Sequence, residues 1–94
     1  MINKSRYFDK NLLPSATDYY QKQFIGLKMT LKWTLVLCPF HEDKKPSLSI
    51  HLITGGFHCF ACGTRGGDIV QFHRQRYQMS FIETVSYFGA WRYE

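Results

Sequence analysis

The chain has 94 residues, room for one small domain rather than two independent cores, and 12 Lys and Arg against 7 Asp and Glu give it a formal charge of +5. It contains no run approaching the ~18 apolar residues of a membrane helix, and its opening MINKSRYFDK lacks the apolar stretch of a secretory leader. Three cysteines, an odd number, argue for metal chemistry in a reducing cytoplasm rather than for a disulfide framework. A domain of this size buries roughly 60–68% of its unfolded surface and gains from a staple.

Taken in chain order, residues 1–13 are polar, mixed and partly basic (Lys4, Arg6, Lys10), which predicts a loose arm ahead of a single domain over 14–94. Pro14-Ser15-Ala16-Thr17-Asp18 resembles a capping box, with Ser15 as N-cap and Asp18 where a carboxylate favours a helix N-terminus. A helix is expected from Ala16 to about Ile25, with Gly26 ending it. Leu27 to Leu37 reads as two short strands with a tight turn near Thr30–Trp33. Its alternation sets Leu27, Met29, Leu31 and Trp33 against Lys28, Thr30, Lys32 and Thr34. A strand Ser47–Leu52, a Thr54-Gly55-Gly56 turn and a return strand Phe57–Cys59 follow. Asp68 is the expected N-cap of a helix Ile69–Tyr77. Ser80-Phe81-Ile82-Glu83 is a second capping box, opening a helix that Gly89 ends near Phe88. The fold class is therefore α+β, an antiparallel sheet with flanking helices.

Cys38 and His41 are separated by two residues, as are Cys59 and Cys62, and 17 residues lie between the pairs. Each pair can form a tight knuckle, and the stretch between them is long enough for a hairpin. Three thiolates and an imidazole, tetrahedral and with no position open to water, suit one structural Zn2+. All three cysteines fall into the pattern, and Pro39 and Gly63 sit where tight turns under a metal need them. His58, adjacent to Cys59, competes as a ligand, but alternation along an extended Phe57–Cys59 turns it to the opposite face, which favours His41.

Basic and aromatic composition together, with eight Phe, six Tyr and two Trp, suits a single-stranded nucleic-acid surface as well as a small aromatic core. The blocks CPFHEDKKPSLSI, GGFHCFACGTRGGDIVQF and SFIETV resemble the zinc-binding domain of bacterial and phage DNA primases, and Leu27-Lys28 stands where that family has its own Leu-Lys. Pro46-Ser47 and Phe60 match without being metal ligands, so the resemblance is narrower than a generic zinc ribbon. It implies a zinc-ribbon-like sheet with the metal at one end, and a domain that engages single-stranded template DNA where primers start. Under that resemblance Lys28, Lys32, Lys44, Lys45 and Arg65 are cations for phosphates, and Trp33, Phe57 and His58 are stacking groups. Other roles stand beside these. Phe57 and Phe60 suit a core, His58 can support a zinc thiolate, Asp43 can cap its own turn or read a base amino group, and His73 and Arg74 mark a helix face that is apolar in relatives.

The carboxylates Asp9, Asp18, Glu42, Asp43, Asp68, Glu83 and Glu94 are scattered and contain no D-x-D pair for the magnesium of phosphoryl transfer. The chain is thus expected to be no enzyme on its own and to act with a catalytic primase, polymerase or helicase subunit, in a plasmid or other mobile element. The alternative is a protein-docking zinc ribbon using Phe72, Tyr77, Phe81, Phe88 and Trp91. A zinc hydrolase is disfavoured, because four protein ligands leave no place for water and Glu42 beside His41 lacks the H-E-x-x-H spacing.

Overall fold

The computed structural model describes residues 5–29, 32–42 and 44–94. In order, its elements are β1 (Arg6–Phe8), a 3-10 turn (Lys10–Leu12), α1 (Ala16–Gln23), β2 (Trp33–Val36), β3 (Leu48–His51) and β4 (Phe57–Cys59). They continue with β5 (Arg65–Gly66), α2 (Ile69–Tyr77), α3 (Phe81–Phe88) and β6 (Trp91–Tyr93).

The three helices start where their capping residues direct. Ser15 Oγ accepts from the Asp18 amide, the Asp68 side chain accepts from the Gln71 amide, and Ser80 and Glu83 cap each other reciprocally. α1 ends two residues earlier than its sequence predicts, because Phe24 is already extended at φ −126°. Gly89 closes α3 at φ 65°, a left-handed conformation that glycine adopts without steric penalty.

Strands β2-β3-β4-β5 form one antiparallel sheet. Its inner face carries Val36, Leu48, Ile50, Phe57 and Cys59, all buried. Phe72 from α2 is the hub beneath it, with ring centroids 5.1 Å from Tyr20, 5.2 Å from Phe40 and 5.2 Å from Phe57. Two hydroxyls dock α1 on the β3–β4 hairpin: Tyr20 donates to the Gly55 carbonyl at 2.7 Å and Thr17 to the Leu52 carbonyl at 2.7 Å. Tyr19 joins α1 to α2 through a 2.6 Å hydrogen bond with His73 Nδ1.

Two sequence expectations are corrected. Over its described part, the arm is not loose: β1 pairs antiparallel with β6, and the Asp9 amide donates to the Ala90 carbonyl at 2.9 Å. Phe8 packs edge-on against Phe81 at 5.4 Å, the Arg6 guanidinium lies 4.3 Å over the Trp91 ring, and Arg92 bonds Asp9 at 2.5 Å. These partners come from the opposite end of the sequence, where no local pattern announces them. The second correction concerns Leu27–Leu37, which supplies one strand among the described residues rather than two. The Leu27 amide donates to the Phe24 carbonyl, and the Lys28 carbonyl accepts from the Thr34 hydroxyl rather than from a strand partner. Thr30 and Leu31, where the turn was expected, lie outside the described residues. In β2, Trp33 and Leu35 face outward and Val36 inward, so the exposed face is the apolar one of the expected alternation.

Candidate metal centre and nucleic-acid face

The zinc site forms at the end of the sheet where β2 leads into Cys38 and β4 ends at Cys59. Cys38, His41, Cys59 and Cys62 bring one ligand atom each to within 4.8 Å of one another. Cys38 Sγ and Cys62 Sγ are 3.8 Å apart, and Cys59 Sγ is 3.9 Å from His41 Nδ1. A tetrahedron with Zn–S bonds of about 2.3 Å has S···S edges of about 3.8 Å. That separation is nearly twice a disulfide bond of about 2.05 Å. The four groups are thus positioned to bind one zinc ion as a closed set.

Hydrogen-bond donors aim at the sulfurs. The Phe40 amide points at Cys38 Sγ and the Cys62 amide at Cys59 Sγ, each at 3.4 Å, the turn geometry expected of two-residue knuckles. The hydroxyl oxygens of Ser47 and Thr64 lie 3.4 Å from Cys59 Sγ and 3.2 Å from Cys62 Sγ. Burial pushes the Cys38 thiol up to about 12. At Cys59 burial also raises the thiol, but the Ser47 hydroxyl and the Cys62 and Ala61 amides outweigh it and bring the thiol down to about 6. Metal coordination removes this asymmetry, since a ligating thiol is deprotonated outright. Ser47 and Thr64 were not assigned this role from sequence; their places one residue after Pro46 and two after Cys62 were the available signal.

The outer face of the sheet holds Trp33, Leu35, Ser49, His51, His58 and Arg65. Register lines up Leu35, Ser49, His58 and Arg65 in one row across the four strands, with Trp33 opposite His51 in the next. Trp33 is 53% exposed and meets the His51 ring edge-on at 4.7 Å. His58 meets Phe60 at 5.0 Å, and Phe60 is 69% exposed at the tip of the second knuckle.

Of the residues expected at nucleic acid, Trp33, His58 and Arg65 share this face. Lys28, Lys32, Lys44 and Lys45 are exposed outside its strands. Lys32 immediately precedes Trp33, and Lys44 and Lys45 lie in the β2–β3 connection at the zinc end. Phe57 is a correction: it is only 3% exposed, stacked at 5.9 Å on Phe40 inside the core, and no base can reach it. Phe60, expected in the core, takes the exposed place instead. His58 turns outward to Phe60, and Ser47, Thr64 and backbone amides meet the cysteine sulfurs. Asp43 lies outside the described residues. His51 was not singled out from sequence, although the period-2 burial of Leu48–His51 places it beside Trp33.

The aromatic docking face fares less well. Phe72 is fully buried, Phe88 packs on Tyr19 at 5.5 Å, and the Trp91 indole is tied to Ser86 at 3.0 Å, whereas Tyr77 and Phe81 are exposed. His73 is 2% exposed and stacks on Tyr87 at 4.2 Å, so it is part of the interior rather than a contact surface. Among the described residues no helix is long and apolar enough to cross a membrane.

Known proteins are similar to this chain in sequence. The DNA primase of Lactococcus lactis is 40% identical over 63 residues, which cover 67% of this chain and 10% of that protein. The Gene 58 protein of Mycobacterium phage D29 is 43% identical over 54 residues, 57% of this chain and 41% of its own length. The DNA primase of Mycolicibacterium smegmatis is 47% identical over 49 residues, 52% of this chain and 8% of the primase. The chain thus matches a small part of each primase and less than half of the phage protein. The sequence model of the CHC2 zinc finger matches residues 18–91, which include all four metal ligands and every strand of the main sheet. This chain belongs to the CHC2 zinc finger family, as a zinc module related to that of DNA primases.

Proposed function

We propose that the outer face of the sheet binds single-stranded template DNA and that the domain supports primer initiation with a catalytic subunit supplied in trans. One observation carries the reading: Trp33, His51, His58, Phe60 and Arg65 are gathered on one solvent-facing surface, away from the core. Rings offer π-faces to unpaired bases, and each base stacked on an aromatic contributes about 1–3 kcal/mol. Arg65, with Lys28, Lys32, Lys44 and Lys45 around the face, supplies cations for the phosphates. Kinship with primases supports a template as the ligand and a polymerase as the partner. Among the described residues no group of carboxylates gathers to hold magnesium, so the catalytic groups are assigned to a partner.

Fluorescence anisotropy with short single strands and a duplex control, zinc-loaded and after chelation, tests this. Zinc-dependent binding that prefers single strands is expected. Three or four phosphate contacts give a slope of log K against log salt of about −2 to −3. Charge reversal at Lys28 and Lys32 is expected to weaken binding without loss of zinc. A folded, zinc-loaded protein that binds no oligonucleotide would refute the proposal and move the search to a protein partner.

A further inference from the structure

On the proposed single-strand face, one side chain has a fixed hydrogen-bonding sense. His51 Nδ1 accepts two backbone amides of the β3–β4 turn, from Ile53 at 3.2 Å and from Thr54 at 3.0 Å. A nitrogen that accepts cannot carry the ring proton, so the proton is on Nε2, and Nε2–H is a donor. Its neighbour Trp33, edge-on at 4.7 Å, has an indole N–H that can only donate. Arg65, at the far end of the His58 row, likewise only donates. No carboxylate occurs in β2, β3, β4 or β5, and His58, the other imidazole of the face, offers one donor and one acceptor nitrogen when neutral, so donors outnumber acceptors among these side chains. Ser49 is the hydroxyl between the two aromatic pairs, and it can serve either sense.

Bases differ in the group that projects farthest from the sugar. Thymine, uracil and guanine present a keto oxygen there, an acceptor; cytosine and adenine present an amino group, a donor. A donor set pairs with the first kind and leaves the N–H of the second without a partner, which penalises it by the desolvation of that group. We infer that the sheet face selects keto bases over amino bases in the strand it binds, with His51 Nε2–H as the principal discriminating donor. This inference rests on the reading of the face as a single-strand site and adds the class of base that it takes.

Oligodeoxyuridine and oligodeoxycytidine of equal length compare the two kinds of base at the same ring size and without a methyl group. Zinc-loaded protein is expected to bind the uridine strand tighter by about fivefold, the worth of one net hydrogen bond. His51→Asn keeps an acceptor for the turn amides, and its shorter amide places no N–H at the position of Nε2. It is expected to bring the two affinities within about twofold, with near-UV CD and zinc content unchanged. Nitrogen-15 NMR of the free protein checks the premise independently, and His51 is expected as the Nε2–H tautomer. Equal affinity for both strands, a preference that survives in His51→Asn, or an Nδ1–H tautomer overturns the keto preference while leaving the face as a DNA site. Failure to bind either strand overturns both readings together.

Discussion

Phe57 in β4 and Phe60 in the second knuckle carry the same ring three positions apart, and their surroundings give them opposite work. Phe57 lies between Phe40 and Phe72, so Phe57→Ala removes a packed ring and is expected to cost about 3–5 kcal/mol of stability, read from denaturant unfolding of the zinc-loaded protein. Phe60 touches the rim of His58 and water. Phe60→Ala is expected to leave the melt within about 0.5 kcal/mol of the parent and to weaken single-strand binding by the loss of one stacked base, at least fivefold or so. His73 provides a pH test at the same scale. Burial among Tyr19, Tyr77, Tyr87 and Phe88 holds its pKa below the ordinary histidine value of 6.5. The unfolded chain therefore takes the proton first. The contribution of His73 is full above about pH 6.5 and is lost as pH falls through the lower folded value. An NMR titration midpoint for His73 at or above 6.5 would contradict the burial argument.

Among the elements, the β1–β6 ribbon is tied by the Asp9–Arg92 pair, and Arg92 is the first cause of the depressed Asp9 pKa. The sign places this tie above the ordinary carboxylate range, with release as pH falls through the lowered value. Asp9→Asn is expected to speed amide exchange in Arg6–Phe8 and Trp91–Tyr93 while exchange in the main sheet and zinc content stay unchanged, as hydrogen-exchange mass spectrometry can read. Gly66 shows the reverse dependence of an element on a core ring. A Cβ there would stand 2.7 Å from the Phe57 ring and 2.9 Å from Gln71 Oε1, so β5 approaches the sheet only because the side chain is missing. Ser80→Ala, which removes one half of the capping box of α3, is expected to lower stability by about 1 kcal/mol.

For the whole molecule the metal is the organising contact. It joins the end of β2 to the β4–β5 turn, and zinc binding energy becomes folding energy in a domain this small. Chelation, or Cys59→Ser, is expected to abolish near-UV CD and the cooperative melt, not merely DNA binding. A metal-free protein with a native-like melt would show that the aromatic core suffices.

What could be read without coordinates follows from short-range physics. Two-residue spacing brought Cys38 to His41 and Cys59 to Cys62, and side-chain caps within a single turn placed the starts of α1, α2 and α3. The hairpin around Thr54-Gly55-Gly56 was legible for the same reason. Contacts between distant residues were not legible: β1 finds β6 only once α3 brings Trp91 back beside Phe8, and Tyr19 meets His73 across 54 positions. Nor does a pattern of aromatics state which ring is covered. Phe57 went to the core because its face of the sheet lies under α2, and Phe60 to the surface because it follows the end of β4 in the knuckle; alternation gives two faces without saying which one the helix will cover.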